Sequence, residues 1–181
     1  MEEFTFQELR KLRPRAATGQ VRRLLDGVVQ DEAAFLFSEP ACWRVRHRSG
    51  EEIVVRNEDW WTRSSEMAAW IHGRAEPGTA AHHSGYLQAM LVPGLLPAIS
   101  DDRSVITLQE PRPDGSRRLA IKHREPVDGV VTADVSPDGY LTRLEGRDEG
   151  VAVIELRVVS VQPPRSDLFD PDVEWECSFD E

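Results

Sequence analysis

The feature of this sequence that most restricts its fold is the spacing of its turn signals. Asp26-Gly27, Ser49-Gly50, Asn57-Glu58-Asp59, Pro113-Asp114-Gly115, Asp128-Gly129 and Pro137-Asp138-Gly139 each interrupt runs rich in Val, Leu, Ile and Trp. These pairs and triplets supply residues that preset or tolerate turn dihedrals. The segments between them are short, whereas a parallel pair needs a crossover of about a dozen residues or more, so the spacing predicts antiparallel hairpins. Strands are expected over residues 21–25, 28–29, 33–37, 43–48, 52–56 and 60–63, then over 105–110, 118–124, 130–135, 140–145 and 151–161.

Alternation within these runs predicts which side each residue takes. Trp43, Val45 and His47 share one side of a strand and Arg44, Arg46 and Arg48 the other, the pattern of a half-buried strand. Arg56 and Arg63, and separately Arg118, Lys122 and Arg124, extend the basic side. It reads either as a solvated face balanced by Glu51, Glu52 and Glu110 or as a site for an acidic partner. Trp60 and Trp61 must point to opposite faces, and the sequence does not say which of them faces the core. The stretch 151–156 is apolar on both sides and predicts a central or helix-covered strand.

Helical signals are fewer. Thr5 and Glu8 have capping-box spacing, with Phe4 and Leu9 at the hydrophobic-staple positions around them, so a helix of about two turns is expected up to Pro14. Residues 64–84 lose strand periodicity and read as a helix or loop excursion. Tyr86, Leu87, Met90 and Leu91, then Leu95, Leu96 and Ile99, suggest two short helices broken near Pro93. Beyond Pro163, Leu168 and Phe169 predict a docked segment, and the acids of residues 170–181 predict a solvated, acidic end.

Composition narrows the function classes. At 181 residues the chain has the size of one domain, and the expectation is a single domain over 1–181. A formal net charge of −10 argues against a general nucleic-acid binder. No stretch is apolar enough to span a bilayer and the first residues do not read as a signal peptide, which predicts a cytoplasmic protein. Cys42 and Cys177 stand alone, far apart, and read as reduced thiols.

Reactive constellations are scarce. His72, His82 and His83, with Asp101 and Asp102, are the best metal candidates, but adjacent histidines in a strand point to opposite faces and do not build a three-ligand site. His47 and His123 fall in strands. Cys42 lies near no nucleophile elbow and reads as a small buried side chain. GxSxG, Walker and GxGxxG motifs do not occur. The expectation is a protein without catalytic residues, metal or cofactor.

Several segments, in order, resemble the LolA-like superfamily of lipoprotein carriers, which includes the amino-terminal domain of RseB-type anti-sigma regulators. They are Phe37-Ser38-Glu39-Pro40 leading into a Trp-Arg-Val-Arg strand, Trp60-Trp61 after an Asn-Glu-Asp turn, and the Leu-rich pair through Met90 and Ile99. Asp134-Val135-Ser136-Pro137-Asp138-Gly139-Tyr140-Leu141, a long Val/Ile strand, and Leu168-Phe169-Asp170-Pro171 follow. The resemblance implies a mainly β (α+β) fold: a curved antiparallel sheet forming an incomplete β-barrel, with a short amino-terminal helix and a helical lid inserted between two groups of strands. It implies an apolar ligand, a small molecule or lipid, between sheet and lid. The lid would come from residues 67–70 and 86–99, and the lining from Trp43, Val45, Trp60, Trp70, Tyr86, Leu87, Met90, Leu91, Leu95 and Leu119. Two other readings stay open: an interaction module for a protein partner with its pocket filled by its own side chains, and a metal-dependent enzyme.

Overall fold

A computed structural model describes residues 5–11, 14–67, 69–75, 86–91, 104–123, 130–147 and 150–179. The expected antiparallel hairpins form one sheet. Its strands are β1 (Ala16–Leu25), β2 (Val28–Ser38), β3 (Cys42–His47), β4 (Glu52–Arg56), β5 (Asp59–Arg63), β6 (Ile71–Arg74), β7 (Ser104–Pro111), β8 (Arg117–His123), β9 (Val130–Val135), β10 (Leu141–Arg147) and β11 (Val151–Ser160). Among the described residues they run in the order β6-β5-β4-β3-β2-β1-β11-β10-β9-β8-β7, with β6 and β7 at the two ends and no pairing between them that would close a barrel. Asp26 and Gly27 both take positive φ, 49° and 79°, which lets a two-residue turn join β1 to β2.

The chain divides into two compact units. One comprises Met1–Pro14, Arg22–Gln30 and Tyr86–Leu156, the other Arg15–Val21, Asp31–Gly85 and Arg157–Glu181.

In the first unit, β7 to β11 form a meander in which the hairpin turns are those the sequence marks. Arg112 N–H bonds Ser116 O across the Pro-Asp-Gly turn, and Ser136 N–H bonds Tyr140 O across the next one. One face is apolar: Leu119, Ile121, Ala133, Val135 and Leu141 are buried. The other face is a row of alternating charge, since Arg118 pairs with Asp134, Asp134 with Arg143 and Arg143 with Glu155 across β8 to β11. Among the described residues two helices belong to this unit. In α1 (Phe6–Leu9) the capping box closes as expected, Thr5 N–H donating to Glu8 Oε2 at 2.7 Å and Glu8 N–H to Thr5 Oγ1 at 3.3 Å. These bonds from Thr5 hold the Glu8 carboxyl below its ordinary pKa. The helix is one turn, shorter than expected. In α2 (Tyr86–Leu91), Leu87, Met90 and Leu91 share one buried face, and the helix packs against β10.

In the second unit, β2 to β6 form a meander continued by residues 157–179. Gly19 is fixed by its neighbour, because a Cβ there would collide with the backbone carbonyl of Arg157 on β11. β2 is buried on both sides from Glu32 to Phe37, so two layers cover it. Strand β6 departs from the expected excursion over residues 64–84. Its four residues are too few to show alternation, and pairing with β5 specifies it instead.

The helical lid is not supported. Where residues 67–70 were expected to supply part of it, Met67 N–H closes a turn on Ser64 O, and after Trp70 the chain enters β6 at Ile71. From the Leu-rich segment only α2 is described, and Leu95 lies outside the described residues, as do His82, His83, Asp101 and Asp102. No helix among the described residues is long and apolar enough to cross a membrane.

Candidate functional site

The two faces of β2–β6 in the second unit differ in chemistry, and strand register assigns every residue to one of them. Two cross-strand rows build the first face: Phe37–Trp43–Val55–Trp60–Gly73 and Phe35–Val45–Ile53–Thr62–Ile71. At the β2–β4 end the rows are closed to solvent, with Phe35, Phe37, Trp43, Val45 and Val55 buried and the Phe37 and Trp43 rings 4.3 Å apart. Toward the β6 edge they open. Ile53, Trp60 and Thr62 are half-buried and Ile71 is 46% exposed. Gly73 belongs to this surface, because a Cβ there would strike the Trp60 indole that lies over it.

The opposite face carries the expected basic residues, but it is not a solvated surface. Arg44 is 0% exposed and Glu52 1%. Arg44 Nε donates to Glu52 Oε1 at 2.6 Å, and its Nη1 donates to the carbonyls of Leu168 and Asp170 at 2.7 and 3.2 Å. The second carboxylate oxygen of Glu52 accepts Arg46 Nη2 at 3.0 Å and Arg63 Nη2 at 2.6 Å. Burial alone would raise the Glu52 pKa. The hydrogen bonds and charges of Arg44, Arg63 and Arg46 outweigh it and hold the carboxyl below the ordinary glutamate value.

What buries these arginines is the carboxy-terminal segment. Arg46 Nη1 donates to Trp175 O at 2.5 Å, and the guanidiniums of Arg46 and Arg44 lie 5.5 and 5.7 Å from the Trp175 ring. Trp175 and Phe169 close an apolar cluster with Ala34 and Leu36, against which Leu168, Cys177 and Phe179 pack. The segment is therefore docked beyond Phe169, almost to its end, while Glu174 and Glu176 between the anchors stay exposed. Beside it lies an open cleft of about 480 Å³ whose lining mixes charged Glu39, Arg56, Asp167 and Asp170 with Cys42, Pro164 and Phe169. Burial raises the pKa of the Cys42 and Cys177 thiols, which leaves little thiolate for nucleophilic chemistry.

The Trp pair is resolved by register. Trp60 joins the row of Trp43 and Val55, whereas Trp61 lies on the arginine side, where its ring stacks on His72 at 4.9 Å and meets Arg56 at 5.9 Å. His72 Nε2 is 2.9 Å from Asp59 Oδ1. Among the described residues no three of His, Cys, Asp and Glu gather as metal ligands.

Of the residues expected to line a pocket, the structure brings Trp43, Val45 and Trp60 together in the second unit. It sets Trp70 against Arg63, 4.5 Å from ring centre to guanidinium, on the arginine side. Leu87, Met90, Leu91 and Leu119 are core residues of the first unit, none more than 1% exposed, and Tyr86 begins α2. Sequence reasoning missed the Arg44–Glu52–Trp175 assembly. Its signal was present: Glu52 shares the parity of Arg44, Arg46 and Arg63 across neighbouring strands, and the acidic end contains a Trp that a solvated tail would not need.

No family model matches the chain, and no curated protein matches it. Among solved structures it is similar to an uncharacterized conserved protein from Thermus thermophilus, with 12% identity, 93% of this chain and 91% of that one covered, and a TM-score of 0.53. It is also similar to the LolA superfamily protein NE2245 from Nitrosomonas europaea, with 14% identity, 94% and 99% of the chains covered, and a TM-score of 0.44. The Thermus likeness shows a shared fold over nearly the whole of both chains.

Proposed function

We propose that this protein is a non-catalytic binding protein that holds a lipid-like or other apolar ligand against the aromatic face of β2–β6. The observation that carries the reading is the pair of apolar rows that pass from closed core at Trp43 and Val45 to open surface at Trp60 and Ile71. A ligand seated there would extend an existing core. Each apolar side chain it covered would contribute about 25 cal/mol per Å² removed from water. On the opposite face the carboxy-terminal segment covers Arg44 and the cluster of Ala34 and Leu36, and the side chains nearer the edge are largely charged or polar. The sequence resemblance to lipoprotein carriers points to the same ligand class. Uptake of a fluorescent fatty-acid probe by the purified protein tests it. Saturable uptake is expected, weakened about tenfold by Trp60→Ala, and an absence of uptake would contradict it.

A second reading has its own support. Trp43, Val45, Leu87, Met90, Leu91 and Leu119 are all buried by protein, as an interaction module with a filled interior requires. That reading expects no probe uptake and a protein partner recovered with the purified chain.

A further inference from the structure

We infer that the Asp31–His47 pair is the polar end of the aromatic-face site, and that the ligand held there is an apolar chain ending in a hydroxyl group. The inference rests on the aromatic-face reading and names the class of ligand within it. Every residue it uses belongs to the second unit.

Register sets the pair beside the apolar rows. Ala33 pairs with His47 two positions along from the Phe35–Val45 pair, so His47 keeps the side of Val45, and Asp31 keeps that of Ala33. The two side chains meet there, His47 Nδ1 lying 3.0 Å from Asp31 Oδ1 and 3.1 Å from Oδ2. Ile53, half-buried and opposite Val45, stands diagonally from His47 at about 7–8 Å. From β3 to Ile71 on β6 is three strand spacings, about 14 Å. A chain laid across Ile71, Thr62 and Ile53 therefore ends at His47.

The ring selects the end group. An ionised carboxylate only accepts hydrogen bonds, so the nitrogen facing Asp31 carries a proton, and Nε2 is left as the ring's other polar atom. The His47 side chain is 19% exposed, and its Nε2 has no hydrogen-bond partner among the described residues. A chain ending in a methyl group would take Nε2 out of water and give nothing in exchange. Nε2 accepts from a ligand when the ring is neutral and donates when it is an imidazolium, and a hydroxyl answers either state. A carboxylate answers only the second. It would also approach the Asp31 carboxylate and exposed Glu51, whose main-chain carbonyl accepts His47 N–H at 2.8 Å.

Displacement of the fluorescent fatty-acid probe by dodecanol and by dodecanoic acid tests the inference. In the wild-type chain dodecanol should displace the probe at about tenfold lower concentration than the acid does. In His47→Phe, which keeps a ring and removes Nε2, probe uptake should remain and the preference should vanish. Nitrogen NMR of the wild-type histidines needs no variant: dodecanol should shift the Nε2 resonance of His47 and leave that of His72, which stacks on Trp61 on the arginine side, in place. Equal displacement by alcohol and acid, a preference that survives in His47→Phe, or an unmoved His47 resonance while dodecanol displaces the probe would each overturn the inference and leave the aromatic-face reading standing. A wild-type chain that takes up no probe would overturn both.

Discussion

The arginine-bearing faces of the two units look alike in sequence and end differently. On β3–β5, Arg44, Arg46 and Arg63 converge on one buried glutamate, and the carboxy-terminal segment covers Arg44 and Arg46. On β8–β11 the acid Asp134 is also buried, at 7%, but its partner Arg118 and the Arg143–Glu155 pair are 37%, 36% and 42% exposed, so each ion pair stays in contact with water. The difference is cover. A charge row left in solvent gains little from pairing, while the same residue types under a docked Trp become a polar core in which removing one partner leaves the others stranded.

The largest effect should follow from cutting the shared acid. Glu52→Ala strands buried Arg44 and should cost about 3–5 kcal/mol in urea unfolding. A loss below about 1 kcal/mol would mean that the covered face behaves like the open one. Trp175→Ala removes the anchor that covers both guanidiniums and should cost about 3 kcal/mol, with faster hydrogen exchange over residues 163–179.

Acid should separate the two faces next. The folded Glu52 carboxyl lies below its ordinary value, so its contribution is complete above the ordinary glutamate pKa of about 4.3 and is lost as pH falls through the folded value. Tryptophan fluorescence should therefore report release of the carboxy-terminal segment only below about pH 4.3. In Glu52→Gln that acid step should vanish. The smallest effect belongs to the open face, where Arg143→Ala should change stability by under about 1 kcal/mol. A larger loss would show that this row is covered after all.

How much of this was legible depended on whether the signal was local. The hairpins were read correctly because Asp26-Gly27, Pro113-Asp114-Gly115 and Pro137-Asp138-Gly139 specify turns by their own dihedrals. The capping box of Thr5 and Glu8 was legible for the same reason. Alternation set Trp43 and Val45 on one side of a strand, but Trp60 joined them only through the family resemblance, since alternation alone left Trp60 and Trp61 undecided until the register of β4 and β5 was known. What failed needed distant partners. Arg44 read as a surface residue because its cover lies some 130 positions away, in Leu168, Asp170 and Trp175. Trp70 was expected in a helical lid, but it lies just before β6 with its ring 4.5 Å from the Arg63 guanidinium. β6 was invisible because Gly73 is shaped by Trp60 across the ladder rather than by its own neighbours.

Hydrogen–deuterium exchange of the intact chain, with and without a saturating fatty acid, tests the central claim most directly. A ligand on the aromatic face should slow exchange over β4–β6, residues 52–74, and leave residues 163–179 as they were. Exchange unaltered by the fatty acid, or slowed over 163–179 instead, would contradict it.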